Sequence, residues 1–176
     1  MFCELHNESS SEHRGTMVLY ILRHGDAARS TQVPDSERPL SDLGQQQAAA
    51  AAALIQGLNP KIEIILTSPL LRAQQTTATV REAVGSPPLR ITERLTSSSD
   101  PRHIIRDLSQ LHNEAVLLVG HEPQLSTLIS ILVAGTGRSR VVMKPCSLAC
   151  VSFSEPLGRD RGLLQWLVHA EHMMKT

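Results

Sequence analysis

Along the chain, short aliphatic runs alternate with longer stretches in which apolar residues recur at helical spacing. The runs at 18–22, 62–66 and 115–119 have the length and branching of buried strands, whereas 41–58, 69–84, 100–111 and 124–134 read as helices. Local signals support these boundaries. Ser41 starts the first helix; Ser68 is placed to cap the second, with Pro69 in its first turn; Asp100 and Pro101 repeat that arrangement; Gly135 stops the fourth. The alanine-rich stretch after Gln45, Gln46 and Gln47 is helix-forming rather than low-complexity sequence. Two further apolar runs, 147–153 and 163–168, predict a closing hairpin around Pro156 and Gly158.

Strand–helix alternation of this kind implies a parallel sheet covered on both faces. The expected fold is a single-domain three-layer α/β sandwich with a mostly parallel central sheet. Its 176 residues contain no internal repeat and no long linker. Residues 1–16, polar and with Ser9, Ser10 and Ser11, read as a flexible extension, and Met17 is an alternative start. The domain is expected over 17–169 and a C-terminal tail over 170–176.

Composition narrows the function. Seventeen basic and 17 acidic residues leave no net charge to attract nucleic acid or a membrane surface. Four aromatic residues (Phe2, Tyr20, Phe153 and Trp166) are too few for a base-stacking platform. Three cysteines (Cys3, Cys146 and Cys150) suit reduced thiols in a cytoplasmic protein better than a disulfide framework. No apolar run reaches the roughly 18 residues of a membrane span, and no signal-peptide pattern precedes the first strand. Only three of the 17 basic residues are lysines, so positive charge resides mainly in guanidinium forks, which fit phosphate and carboxylate.

In open α/β sheets ligands bind beyond the carboxyl ends of the strands. There the sequence supplies Arg23-His24-Gly25-Asp26, then Ser68-Pro69 with Arg72, then Gly120-His121-Glu122. Two arginines can fork onto phosphoryl oxygens, a neutral imidazole of His24 can attack phosphorus, and His121 can donate to equatorial oxygens. Gly25 would let the backbone approach phosphate, and Arg72 would sit in the first turn of a helix whose dipole favours anions. Any one of these residues alone is more commonly a surface or hydrogen-bonding group. Their joint placement is what points to chemistry.

Leu22-Arg23-His24-Gly25-Asp26-Ala27, Arg38-Pro39-Leu40-Ser41, Thr67-Ser68-Pro69-Leu70-Leu71-Arg72-Ala73 and Val119-Gly120-His121 together resemble the histidine phosphatase superfamily. Within it they are similar to the SixA-type phosphohistidine phosphatases. The resemblance runs from about Met17 to Trp166 and implies a phosphoglycerate mutase-like fold. It also implies transient phosphorylation of His24 and a phosphate pocket completed by Arg23, Arg72 and His121. No metal or other cofactor is expected, since no cluster of carboxylates or properly spaced Cys and His stands near the motifs. Gly25, Arg38, Ser68 and Gly120 are the further candidates for binding substrate. Arg38 either lines the entrance or fixes the first helix, and Ser68 is equally well read as a cap.

Larger members of this superfamily carry a Glu or Asp proton donor in an insertion after the second helix. Residues 85–100 leave little room for one, and the available carboxylates are Glu93 and Asp26. Glu93 is more readily read as the ion-pair partner of a neighbouring arginine. The implied substrate is protein phosphohistidine, on a phosphotransfer or histidine kinase domain in signal transduction. Small phosphomonoesters such as sugar phosphates, and a non-catalytic phospho-binding module, are the alternatives. His169-Ala170-Glu171 with Pro145-Cys146 and Cys150 has the residue types of a zinc deaminase but not the order or spacing. The two cysteines are expected on one face of a strand as small apolar groups, and His169 and His172 in a solvated tail.

Overall fold

The computed structural model describes residues 17–29, 32–154 and 156–174. The expected 1–16 extension lies outside them. Among the described residues six strands form one sheet: β1 (Val18–Arg23), β2 (Ile64–Thr67), β3 (Leu89–Ile91), β4 (Ala115–Gly120), β5 (Leu148–Ser152) and β6 (Leu163–Val168). Their spatial order is β3-β2-β4-β1-β5-β6. The first four run parallel, and β5 is antiparallel to both β1 and β6. The helices are α1 (Asp42–Leu58), α2 (Leu71–Ala83), α3 (Pro101–Leu108), α4 (Gln124–Ala134) and α5 (Ala170–Met173).

Alternation within each strand divides the core into two layers. Leu19, Ile21, Ile64, Leu66, Val116 and Leu118 pack with Ile104, Leu108, Leu125 and Leu128 of α3 and α4. Leu22, Ile65, Leu117 and Val119 face the other way, toward Ala48, Ala51, Ile55, Ala73 and Val80 of α1 and α2. The single-domain three-layer architecture is therefore the one expected, and side chains at successive strand positions decide which helices cover which face.

Local departures from expectation have identifiable causes. Helix α2 begins at Leu71, and its N-cap position, Leu70, makes no side-chain capping bond. Ser68 is not a cap; its hydroxyl is engaged by His121, as described below. Strand β3 escapes hydrophobic patterning because it has only three residues, all exposed, and exists by pairing with the free edge of β2. Cys146 lies before β5, with a positive φ of 55°, so it does not share a strand face with Cys150. Over Ala170–Met173 the expected tail is a helix whose Ala170 and Met173 join the core layer of α1. His169 is likewise tied down, 2.7 Å from the Ser147 hydroxyl.

Candidate active site

The ends of β1, β2 and β4 deliver the site. Burial of these central strands on both faces makes their ends rigid, and the segment leaving β1 is held from both sides. His24 N–H donates to the Gly120 carbonyl at 3.1 Å, and Cys146 N–H donates to the His24 carbonyl at 3.0 Å. Farther along, Ala28 N–H meets the Pro39 carbonyl and Ser41 N–H the Asp26 carbonyl. The 38–41 segment thus lies antiparallel to the exit from β1, which places Arg38 near the histidine.

An open cavity of about 380 Å³ has Arg23, His24, Asp26, Arg38, Arg72, His121 and Glu122 in its wall. His24 and His121 are buried, with ring centroids 4.6 Å apart. The His24 Nδ1 lies 2.6 Å from the Gly25 carbonyl. A carbonyl only accepts, so Nδ1 carries the hydrogen and the lone pair of the neutral ring resides on Nε2. Arg72 Nε donates to that same Nε2 at 3.3 Å. Burial, aided by the charges of Arg72, Arg23 and Arg38, pushes His24 down to about 4, against the opposing pull of the Gly25 carbonyl. Burial and the neighbouring His24 and arginines push His121 down to about 3. Both rings are neutral at physiological pH.

His121 Nε2 is 2.8 Å from the Ser68 hydroxyl. Ser68 Oγ also accepts from Leu70 N–H at 3.4 Å and keeps its own hydrogen to give; in the tautomer where that hydrogen goes to His121 Nε2, the hydrogen of the His121 ring is on Nδ1. Among the described residues, three buried side-chain polar atoms have no protein partner: Arg23 Nε, His121 Nδ1 and Gln124 Oε1. Two of the three belong to this cavity's wall. Unpaired buried donors cost about 1–3 kcal/mol each, so their concentration here marks a place for an acceptor-rich ligand.

The other sequence candidates separate. Arg23 is anchored through Nη1 to the Met143 carbonyl at 2.7 Å. Burial draws its guanidinium below the ordinary value, while Glu122 and Asp26 oppose that shift. Arg38 lines the cavity and binds Asp35, so it does not fix the first helix. Gly25 does not present its amide to a ligand, because that N–H donates to Thr76 Oγ1 at 3.1 Å. Its lack of a side chain serves packing instead: a Cβ there would lie 2.6 Å from the Gly44 carbonyl oxygen. Gly120 similarly admits the Leu95 backbone, whose carbonyl oxygen would lie 2.9 Å from a Cβ. Ser68 is outside the cavity wall and acts through His121.

Neither proposed proton donor is free and facing the ligand space. Asp26 lines the cavity, but its Oδ2 accepts from Ser41 Oγ at 2.6 Å, securing the start of α1. Glu93 sits exposed on a short 3-10 turn outside the cavity wall, and the neighbouring Arg94 pairs with Asp107 instead of with Glu93. Two further carboxylates bear on the site. Glu122, which follows His121 in the strand-end motif without being a proton-donor candidate there, lines the cavity, and its Oε1 accepts from Ser126 N–H at 3.0 Å. Asp35 lies in an aperiodic polar segment where nothing in the pattern singles it out. Among the described residues no group of three or more His, Cys, Asp or Glu is arranged to hold a metal, and no helix is long and apolar enough to cross a membrane.

The family model described as the histidine phosphatase superfamily (branch 1) matches residues 19–98. Phosphohistidine phosphatase SixA of Escherichia coli (strain K12) is 34% identical over 123 residues, 68% of this chain and 76% of that relative. The chain belongs to the histidine phosphatase superfamily. Its fold is that of the protein histidine phosphatase SixA complexed with tungstate: TM-score 0.80 and 29% identity, covering 89% of this chain and 99% of the other. A mycobacterial glucosyl-3-phosphoglycerate phosphatase shares the fold at TM-score 0.64 and 18% identity, over 85% and 97% of the two chains. This superfamily member is accordingly SixA-like in sequence and architecture, within a fold that also carries other phosphatases.

The depressed histidine values have a measurable consequence. An unfolded histidine titrates near 6.5, so below that pH the unfolded chain takes up protons that the folded site refuses. The stability contributed by neutral His24 and His121 is present above pH 6.5 and is lost as pH falls toward about 4 and about 3. Urea unfolding is expected to show a loss of about 2 kcal/mol per histidine by pH 5 relative to pH 7.5. A His24→Asn, His121→Asn double variant should be nearly flat over that interval apart from the other titrating groups. NMR titration should find both rings neutral at pH 5.5.

Proposed function

We propose that this phosphatase removes phosphoryl groups from protein phosphohistidine through a covalent intermediate on His24, without a metal. The observation that carries the reading is the tautomer of His24: with Nδ1 bound to the Gly25 carbonyl, the lone pair of the ring is on Nε2, in the cavity wall beside Arg72 Nε. The similarity to SixA supports the substrate class.

In the first step His24 Nε2 bonds to phosphorus as the bond from phosphorus to the substrate imidazole breaks. When the other ring nitrogen of the substrate is protonated, that imidazole leaves neutral and no further proton is needed. Phosphorylated His24 keeps its Nδ1 hydrogen and so becomes an imidazolium, with the Gly25 carbonyl accepting from it. Donor and acceptor are then chemically alike, and the transfer is nearly balanced in energy. In the second step water attacks phosphorus, the N–P bond electrons return to His24 Nε2, and both water hydrogens leave with the phosphate as its monoanion. Arg23, Arg72 and the Nδ1 hydrogen of His121 bear the charge on the phosphoryl oxygens.

The hydrogen bond that Asp26 accepts from Ser41 and the absence of Glu93 from the cavity wall favour this leaving group, because an alkoxide needs a delivered proton and an imidazole does not. A panel of phosphohistidine peptides and small alkyl phosphate esters tests the reading. We expect kcat/KM for phosphohistidine to be higher by well over about tenfold, or at least roughly 1.4 kcal/mol in transition-state stabilisation, and turnover to persist in chelator. Equal or better hydrolysis of a sugar phosphate would overturn the substrate and leave the phosphatase; restoration of chelator-treated enzyme by one divalent ion would overturn the metal-free chemistry.

A further inference from the structure

Arginine has two edges with which to grasp an oxyanion: an end-on edge formed by Nη1 and Nη2, and a side-on edge formed by Nε and Nη2. In Arg72 the end-on edge is occupied. Nη1 donates to the Asp35 carbonyl at 2.7 Å, and Nη2 donates to Asp35 Oδ2 at 3.0 Å. The side-on edge faces the site: its Nε donates to the nucleophilic His24 Nε2 at 3.3 Å, a contact that phosphoryl oxygens would take over. The second oxygen of the same carboxylate, Oδ1, accepts from Arg38 Nε at 2.8 Å and Arg38 Nη2 at 2.6 Å. One carboxylate therefore ties together two arginines of the cavity wall while lying outside that wall itself.

We infer that Asp35 is a positioning residue that decides which edge of Arg72 meets the phosphoryl group and keeps Arg38 beside it. The inference rests on the phosphate-pocket reading above and deepens it. A guanidinium on a long side chain loses rotamer freedom when it binds, and Asp35 imposes that loss before substrate arrives. The Arg72 side chain is 7% exposed, whereas Asp35 is 62% exposed, so the clamp reaches inward from a surface turn. Electrostatics alone makes the opposite forecast, since a carboxylate beside the arginines repels an anion. Hydrogen bonds from Arg38 and then Arg72 hold the Asp35 carboxyl below the usual carboxylate range, as a clamp on two cations requires. A simple counter-charge would weaken oxyanion binding; a positioning clamp strengthens it by presenting donors already aligned.

Binding of tungstate, a tetrahedral oxyanion, separates the two without any turnover. For Asp35→Ala we expect tungstate Kd to rise roughly tenfold and kcat on a phosphohistidine peptide to fall by about as much. Asp35→Asn keeps the side-chain acceptor for Arg72 and should lie between Ala and wild type. In an Arg72→Ala background, Asp35→Ala should add little to the tungstate Kd, the non-additivity expected when one residue acts through the other. The Arg72 Nε–H resonance, sharp in the wild type, should broaden in Asp35→Ala. An unchanged or lower Kd in Asp35→Ala, or full additivity with Arg72→Ala, would overturn the inference while leaving the pocket intact. Failure of the wild type to bind tungstate would instead remove the pocket reading, and this inference with it.

Discussion

His24→Ala is expected to lower turnover by at least about a thousandfold and to abolish the phosphoenzyme. The size follows from what is lost. The lone pair of this imidazole is set on Nε2 by a hydrogen bond at its opposite nitrogen, the 2.6 Å contact to the Gly25 carbonyl. Deleting it leaves the charge-neutralising groups in place and removes the covalent route, the scale of loss seen when a nucleophile is taken from a preorganised site. Rapid acid quench is unsuitable for detection, because an N–P bond is acid-labile; alkaline quench should trap labelled wild-type protein and no labelled variant. His24→Ala should bind tungstate still, since Arg23, Arg72 and His121 remain around the cavity. Retention of most activity, or labelling of the variant at another residue, would move the nucleophile elsewhere.

Arg72→Ala is expected to cost roughly a hundredfold or more in kcat/KM, comparable to removing one preorganised donor from an oxyanion site. Here the loss is compounded. Arg72 contacts His24 Nε2, carries charge beside the reacting atoms, and is the anchor for Asp35 across the cavity rim. Arg72→Lys should recover little, because a single ammonium cannot hold Asp35 with one edge and offer a second edge to phosphate. The measurement is steady-state kinetics alongside thermal unfolding, so that loss of rate is separated from loss of fold. A lysine variant within about fivefold of wild type would show that charge alone suffices and that the edge geometry is incidental.

Much of this molecule is legible from residue order. The alternation of strands and helices, the position of each central strand to within about two residues, and the convergence of Arg23, His24, Arg72 and His121 all follow from local pattern plus one topological rule. Those features depend on periodic burial and on strand ends, which are properties of short windows. Gly25 shows where such reading stops. Its role next to phosphate is plausible from sequence, yet the chain needs it because α1 presses Gly44 against the same backbone; a Cβ on Gly44 would lie 2.0 Å from the Asp26 carbonyl oxygen. That close approach joins positions nearly 20 residues apart, and no local window contains both constraints.

Ser68, Glu93 and Asp35 mark the same boundary from different sides. By sequence Ser68 is a helix cap, but the register of β2 beside β4 brings its hydroxyl to His121. Glu93 has the right chemistry for a proton donor, but it sits exposed on a 3-10 turn and is not part of the cavity wall. Asp35 has no periodic neighbours, and its importance arises only when the 38–41 segment folds back along the exit from β1 and carries the preceding turn to Arg72. Sequence by itself determined the layers, the sheet and the four charged or nucleophilic groups at its edge, because hydrophobic period and strand termini encode them locally. Only the tertiary structure decided which nitrogen of His24 carries the lone pair, which edge of Arg72 faces it and which carboxylates already accept hydrogen bonds. Those are directional contacts between segments far apart in the chain, and hydrogen-bond geometry carries no signature in residue order.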